Sequence, residues 1–334
     1  MLDCIKDCTW CTTLLWMAVM GVAALIFNWL RGPKAINLSD KHVLITGGSS
    51  GIGEACAAIC VSLGAKVSII ARNEQQLKEA SQRILAGNKK TGEGSVNCVS
   101  ADVSDADKMK AAVASAEAFH GEVDVVICSA GIALPKKFSE TKTEEFERLM
   151  RVNFMGTVNT IQAAYASVTR KPGGRIVLVS SQAGQVGIFG YTGYSASKFA
   201  LRGFAEALQM EVRSAGATVT IAYPPDTDTP QLKMENEIKP QETKLISDNG
   251  AFPPEQVARS IVDAAARGVF QAYIGLDGWM LAKLTAGMSP QPVPLEAIVE
   301  VALMPLLRII SLVYQKMWSI QISNYQKKQK AHES

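Results

Sequence analysis

From residue 42 to about residue 275, short apolar runs of strand length alternate with segments of helical period, and this alternation most restricts the folds open to the chain. His42–Thr46, Lys66–Ala71, Val96–Ser100, Val123–Ile127, Arg175–Ser180 and Thr218–Tyr223 read as strands. Helical patterns such as Ile52–Leu63 lie between them, and Phe270–Ile274 closes the series. A strand that returns parallel to its neighbour needs a helix-length crossover. Repeated strand–helix units therefore predict an α/β fold, a doubly wound parallel sheet of Rossmann type with helices on both faces. Ligands bind such sheets outside the carboxyl ends of the strands, so the loops after the strands should carry the function. Residues 226–250 form a polar, Pro-containing insertion after the sixth strand, on that edge, and are expected to cover a site there. Lys89–Gly94 reads as a polar surface loop.

The first strand runs into Thr46-Gly47-Gly48-Ser49-Ser50-Gly51-Ile52-Gly53, which opens the first helix. Glycines let the backbone turn sharply and approach a pyrophosphate, and the helix N-terminus offers it free N–H groups and a positive dipole end. Gly47, Ser49, Ser50, Gly51, Ile52 and Gly53 are therefore candidate dinucleotide contacts. Where an acidic residue after the second strand would hold the ribose 2′-hydroxyl of NAD, this chain has Ala71-Arg72. A guanidinium there favours the 2′-phosphate of NADP, and the expected cofactor is NADPH. The competing reading of Arg72 is a solvated surface residue. Asp102, after the third strand, is a candidate acceptor for the adenine amino group.

Tyr194-Ser195-Ala196-Ser197-Lys198 sets Tyr and Lys four apart, on one face of a helix. An ammonium beside a phenol favours phenolate and is expected to lower the pKa of Tyr194, making it a general acid–base. Tyr191 has Ser195 four residues on and cannot form the same pair. The fifth strand ends in Ser180-Ser181, where a hydroxyl can stabilise charge developing on a carbonyl oxygen. Asn153 precedes that strand, either as a cap or core amide or as the holder of a water linking Lys198 to solvent.

Both ends of the chain are apolar. Thr9 to Leu30 carries no charged side chain, long enough for a bilayer-spanning helix of about 20 residues. A cleaved signal peptide is the competing reading, but the run exceeds the roughly 7–15 residues of such apolar cores. Arg31 and Lys34 follow it without nearby acids, which sets the C-terminal side in the cytosol. A second stretch, Leu295–Val313, is broken by Glu296, Glu300, Pro305 and Arg308. These breaks argue against a clean span and leave an interfacial or re-entrant helix, a packing helix or a dimer surface. The tail with Lys327, Lys328 and Lys330 is expected to be solvated or to lie on an anionic membrane. The expected organisation is a membrane anchor over 1–34, an NADP-binding reductase domain over 35–290 and an apolar segment with a polar tail over 291–334. Net charge is only +3, with basic residues dispersed, which gives no case for nucleic-acid binding. The seven cysteines show no repeating pattern or Cys/His cluster, so no metal site and no disulfide framework is expected. Cys56 and Cys60 read as core packing.

TGGSSGIG, the Ser180/Ser181 strand end and YSASK, in this order, resemble the short-chain dehydrogenase/reductase family over roughly residues 40–275. The resemblance implies that Tyr194 donates a proton to the substrate oxygen, that Lys198 lowers its pKa and binds the nicotinamide ribose, and that Asn153 supports the proton relay. The family's serine lies thirteen residues before the tyrosine, which selects Ser181 over Ser180. Cys128-Ser129-Ala130-Gly131 resembles the family's NNAG strand end, with Cys and Ser for the two Asn. Where the family usually has Pro-Gly, this chain has YPPDTDTP (223–230). That segment and residues 180–211 resemble members that reduce a long-chain lipid 2-amino-3-ketone with NADPH on the cytosolic side of the endoplasmic reticulum. Alternatives left open are a membrane-bound reductase of a steroid, retinoid or ketoacyl lipid, and a catalytically silent dinucleotide-binding sensor or scaffold. By family analogy the chain forms a homodimer through the helices around the catalytic segment.

Overall fold

The computed structural model describes residues 16, 17, 19, 20, 34–88, 95–247 and 250–333, without side chains at 332 and 333. Strands and helices follow in the order β1 (His42–Thr46), α1 (Gly51–Ser62), β2 (Lys66–Ala71), α2 (Glu74–Gly87), β3 (Val96–Ser100), α3 (Ala106–His120) and β4 (Val125–Cys128). Next come α4 (Thr143–Leu149), running through a π-helical turn at Met150–Met155 into α5 (Gly156–Thr169), then β5 (Arg175–Val179), α6 (Thr192–Val212) and β6 (Thr218–Tyr223). The chain continues through α7 (Pro230–Ile238), α8 (Gln241–Ser247), α9 (Pro254–Arg267), β7 (Gln271–Tyr273), α10 (Gly275–Leu284) and α11 (Pro294–Glu333).

The strands form one parallel sheet in the order β3-β2-β1-β4-β5-β6-β7, as the alternation predicts. The order reverses between β1 and β4, which opens the crevice where such sheets bind ligands. Strands buried on both faces need apolar side chains pointing both ways. In β1, Val43 and Ile45 join a layer with α1, α2 and α9, while Leu44 joins the layer of α3, α5 and α6. Cys56 and Cys60 are in the first layer, as core packing. Truncating Leu44 to Ala would cost about 2–5 kcal/mol, transfer and cavity together.

Three strands differ from the runs as read, because pairing and not apolarity ends a strand; β5 stops at Val179, one residue short of Ser180. β4 begins at Val125, where its register with Val43 begins, and extends to Cys128. β7 keeps only Gln271–Tyr273, although the flanking Phe270 and Ile274 are both core residues. The larger difference is at the C-terminus. Glu296, Glu300, Pro305 and Arg308 do not break the apolar stretch, which lies within the continuous helix α11. Its residues Pro294–Ala331 form a helix long and apolar enough to cross a membrane. Both glutamates find a partner in buried Lys283 of α10, with Glu300 at 3.1 Å. Pro305 removes one intrahelical hydrogen bond without ending the helix. Lys327, Lys328 and Lys330 continue this helix as exposed residues.

The anchor read over Thr9–Leu30 lies outside the described residues, apart from Trp16, Met17, Val19 and Met20, which are helical and exposed. The Lys89–Gly94 loop lies outside them too, as do Cys8 and Cys11, which form a C-x-x-C pair. Lys34, the first residue of the main described stretch, is held by Arg175. That buried guanidinium donates to the Lys34 carbonyl at 2.7 Å and to Ala265 at 2.8 Å, at the amino edge of the sheet.

Candidate active site

The carboxyl ends of β1, β4, β5 and β6 open into one cavity of about 1960 Å³. Ligand pockets usually measure about 300–1,000 Å³, so there is room for a dinucleotide and a second long molecule together. Gly47, Ser49, Ser50, Gly51, Ile52, Gly53, Arg72, Asp102, Ser181, Tyr194 and Lys198 all line it.

The phosphate turn needs its glycines. Gly47 has a φ of 70°, and a Cβ there would meet the Ala130 backbone nitrogen at 2.8 Å. A Cβ on Gly53 would lie 2.3 Å from the Gly47 carbonyl oxygen. Ser50 caps α1 in an extended conformation, but its side chain makes no capping bond, so the first N–H groups of the helix stay open to an anion. Arg83 braces the turn from α2, pairing with Glu54 at 2.7 Å and reaching the Ser49 carbonyl at 3.4 Å. Asp102 accepts from the Ser104 amide and hydroxyl at 2.9 and 2.8 Å. Burial opposes ionisation of Asp102, but the Ser104 bonds and the charge of Arg72 outweigh it and hold the carboxyl below its usual range. Arg72 and Asp102 both line the cavity, and among the described residues the Arg72 guanidinium has no hydrogen bond or ion pair to the protein. These residues fit a dinucleotide.

At the far end of the crevice α6 presents Tyr194 and Lys198 one turn apart, with the Lys198 ammonium 5.6 Å from the Tyr194 ring centre. Lys198 is buried and donates to the Val179 carbonyl at 2.9 Å. Burial lowers its pKa to about 8, with the charge of Glu235 acting against the shift. The expectation that Tyr194 has a lowered pKa is not met in the protein alone. Burial pushes the phenol up, Glu235 adds to that, and the Ser181 hydroxyl opposes it. The reason is geometric: Lys198 turns its ammonium to the end of β5 and does not neutralise the phenol.

The two serines are distinct. Ser180 is buried and donates to the Lys198 carbonyl at 3.0 Å, whereas Ser181 stays partly exposed to the cavity. Asn153 sits fully buried on the π-helical turn. Its Oδ1 accepts from Ile132 N at 2.8 Å, and its Nδ2 donates to the Ile132 carbonyl and to Ser197 Oγ, both at 2.9 Å. Asn153 thus pins the strand end 128–131 beside Lys198. A Cβ on Gly131 would lie 3.3 Å from Asn153 Oδ1 and 3.4 Å from Lys198 Nζ. With Cys128 and Ser129 at the two Asn positions, the main chain holds the strand end. Ser129 N donates to the Thr46 carbonyl at 3.2 Å, and Cys128 is buried in the core.

The cavity also contains residues not singled out above. The insertion after β6 is helical: Thr229 caps α7 by accepting from Leu232 N at 3.2 Å, and its methyl abuts Gly51 of the phosphate turn. Within it, Glu235 is buried against the Tyr191 hydroxyl at 2.8 Å. Gln231 and Glu235, four apart in the flagged segment, were the available signal. Met304, Leu307, Ser311 and Trp318 of α11 also line the cavity. Their three-, four- and seven-residue spacing marks one helix face, but an apolar run read against a membrane gives no reason to assign that face to a site.

Residues 41–240 match the family model described as short chain dehydrogenase. The chain is 46% identical over 287 residues to "3-ketodihydrosphingosine reductase" of Bos taurus, covering 85% of this chain and 86% of that protein. It is 45% identical over 289 residues to "3-dehydrosphinganine reductase" of Danio rerio, covering 85% and 86%. It is 33% identical over 307 residues to "3-ketodihydrosphingosine reductase" of Dictyostelium discoideum, covering 87% and 91%.

Proposed function

The chain belongs to the short-chain dehydrogenase/reductase family, and on that premise we propose that it reduces 3-ketodihydrosphingosine to dihydrosphingosine (sphinganine) in sphingolipid synthesis, with NADPH as reductant. It is an oxidoreductase acting on a ketone–alcohol pair. The observation that carries the proposal is the shared cavity, in which a dinucleotide turn, a Ser–Tyr–Lys set and an apolar helix line one space.

When bound, the nicotinamide supplies a hydride to the carbonyl carbon. The α1 N-terminus and residues 47–53 hold the pyrophosphate, Arg72 the 2′-phosphate, and Asp102 the adenine amino group. Ser181 donates a hydrogen bond to the ketone oxygen, and Tyr194 gives that oxygen its proton. A phenol whose pKa is raised by burial stays protonated at neutral pH, the state a reductase requires of its donor. Lys198, one helical turn from Tyr194, would hold the nicotinamide ribose. Asn153 fixes the strand end beside Lys198 and keeps an unused lone pair on Oδ1 for a relay water.

The site works at a membrane. The start of α11 is tied to Lys283, and Gln326 near its other end reaches Glu242 of α8 at 3.5 Å. A helix tied to the catalytic domain at both ends lies along the domain, which favours an in-plane membrane helix over a span. One face lines the cavity, so the acyl chain can enter from the bilayer without crossing water. The membrane is that of the endoplasmic reticulum with the domain in the cytosol, consistent with Arg31 and Lys34 after the apolar run 9–30. A homodimer through α5 and α6 would cover the exposed Tyr165, Phe199 and Met210.

The test is NADPH oxidation by membranes carrying the protein when 3-ketodihydrosphingosine is added, with Tyr194→Phe membranes as control. Turnover lost in the control supports substrate and mechanism together. NADPH binding without turnover of this ketone sinks the substrate assignment.

A further inference from the structure

Glu235 is a carboxylate buried in the cavity wall, and the mechanism above does not use it. Its Oε2 accepts from the Tyr191 hydroxyl at 2.8 Å and its Oε1 from Gln231 Nε2 at 2.9 Å. Both donors are neutral, and among the described residues no cation comes within ion-pair distance of it. The nearest candidates are committed elsewhere. Lys239 pairs with Asp226 at 3.3 Å, and Lys198 donates to Val179. Asp226, Glu235 and Lys239 together thus carry one negative charge in excess of what they neutralise among themselves. A buried carboxylate left without a cation costs several kcal/mol, and burial raises the Glu235 pKa against its bonds from Gln231 and Tyr191, so a cation arriving from outside would favour its charged form.

Its place in the site says what that partner must be. The Tyr191 ring, whose hydroxyl holds Glu235, stands 5.5 Å from the Tyr194 ring. The Glu235 charge is also felt at both Tyr194 and Lys198. It therefore lies beside the position of the reacting carbonyl. A ketone bearing a primary ammonium on the adjacent carbon puts its positive charge in that neighbourhood when its oxygen meets Ser181 and Tyr194.

We propose that Glu235, oriented by Tyr191 and Gln231, binds the ammonium group next to the ketone of the substrate and so selects α-amino ketones over plain lipid ketones. The assignment rests on the function proposed above and identifies the residue that gives it specificity. Three N–H donors of an ammonium can share the carboxylate with Tyr191 and Gln231 without displacing either. The pair forms in a desolvated pocket, where a charge-assisted hydrogen bond is strong.

The experiment compares wild type and Glu235→Gln, each with NADPH, on 3-ketodihydrosphingosine and on the same chain lacking only its amino group. Glu235→Gln should lower kcat/KM for the amino ketone about 10²-fold, mainly through KM, and leave the deamino ketone within about twofold. Glu235→Asp, which keeps the charge, should retain part of the preference. Retained turnover of the deamino ketone also shows that the variant is folded. Equal loss on both substrates, or an undiminished preference for the amino ketone, overturns the assignment. Octadecylamine and octadecanol separate this result from the functional reading. If wild type turns over neither ketone, the functional reading falls, yet amine binding weakened by Glu235→Gln still supports the carboxylate site. Amine binding unchanged by the substitution overturns it.

Discussion

Ser180 donates its hydroxyl to the main-chain carbonyl of Lys198 at 3.0 Å, across the junction of β5 and α6. That bond withdraws Ser180 from chemistry and leaves Ser181 facing the cavity, where it opposes the burial shift of Tyr194. Ser181→Ala should therefore lower kcat by about 10²-fold and, because its Oγ also accepts from Ala183 N at 3.1 Å, cost about 1 kcal/mol of stability. Ser180→Ala should retain most of its turnover and lose about 1 kcal/mol of stability. Steady-state rates and thermal melts of the two purified variants check this. A larger rate loss in Ser180→Ala would reverse the assignment.

Lys198 gives the fold a pH dependence whose sign follows from burial. Its folded pKa is about 8, below the ordinary 10.5. Between those values the unfolded chain binds the proton and the folded one does not, so stability rises with pH across that window. The full rise is on the order of 3 kcal/mol. Lys198→Met should lack this slope, be more stable than wild type at pH near 7, and be inactive. Urea unfolding of both proteins at several pH values measures it, and parallel pH profiles would contradict it.

The proposed preference for NADPH over NADH rests on Arg72, whose guanidinium would pair with the 2′-phosphate. Its guanidinium is uncommitted to the protein among the described residues and faces the cavity. Arg72→Ala should raise KM for NADPH about 10–100-fold and leave KM for NADH nearly unchanged. If both constants move together, Arg72 does not read the 2′-phosphate.

The strand series was legible because the inner strands are buried on both faces, which requires nearly continuous apolar runs, while the edge strands β3 and β7 are only partly buried. Hence β1, β2, β3 and β6 begin and end as read, and β4, β5 and β7 shift only where pairing decides. The phosphate turn and the Tyr194–Lys198 spacing were legible because local backbone geometry dictates them. Glu235 was not, because a lone glutamate in a polar segment reads as solvated until the fold buries it against Tyr191. The pKa of Tyr194 was misjudged for a related reason. Sequence spacing sets Lys198 on the right helix face, but its ammonium turns toward Val179. The packing of α11 was not legible either, since the partner of Glu296 and Glu300 is Lys283 on another helix.

The two faces of α11 make separable predictions. Met304, Leu307, Ser311 and Trp318 line the cavity, while Leu306, Ile309, Val313, Met317 and Ile320 recur at three- and four-residue spacing and are all exposed. If the first face holds the acyl chain, Met304→Trp should shorten the space and raise KM for a long-chain substrate about 10-fold or more, leaving short-chain homologues nearly unaffected. If the second face lies in the bilayer, Ile309→Asp with Val313→Asp should abolish turnover of substrate presented in vesicles. The same protein should still work on that substrate in detergent micelles, since neither residue touches the cavity. A charge facing lipid costs about 2.5–3.5 kcal/mol, enough for two substitutions to lift the helix from the interface. Equal rates from vesicles and micelles in the double variant would mean that α11 packs on the domain without meeting lipid, and the route of the chain would have to run elsewhere.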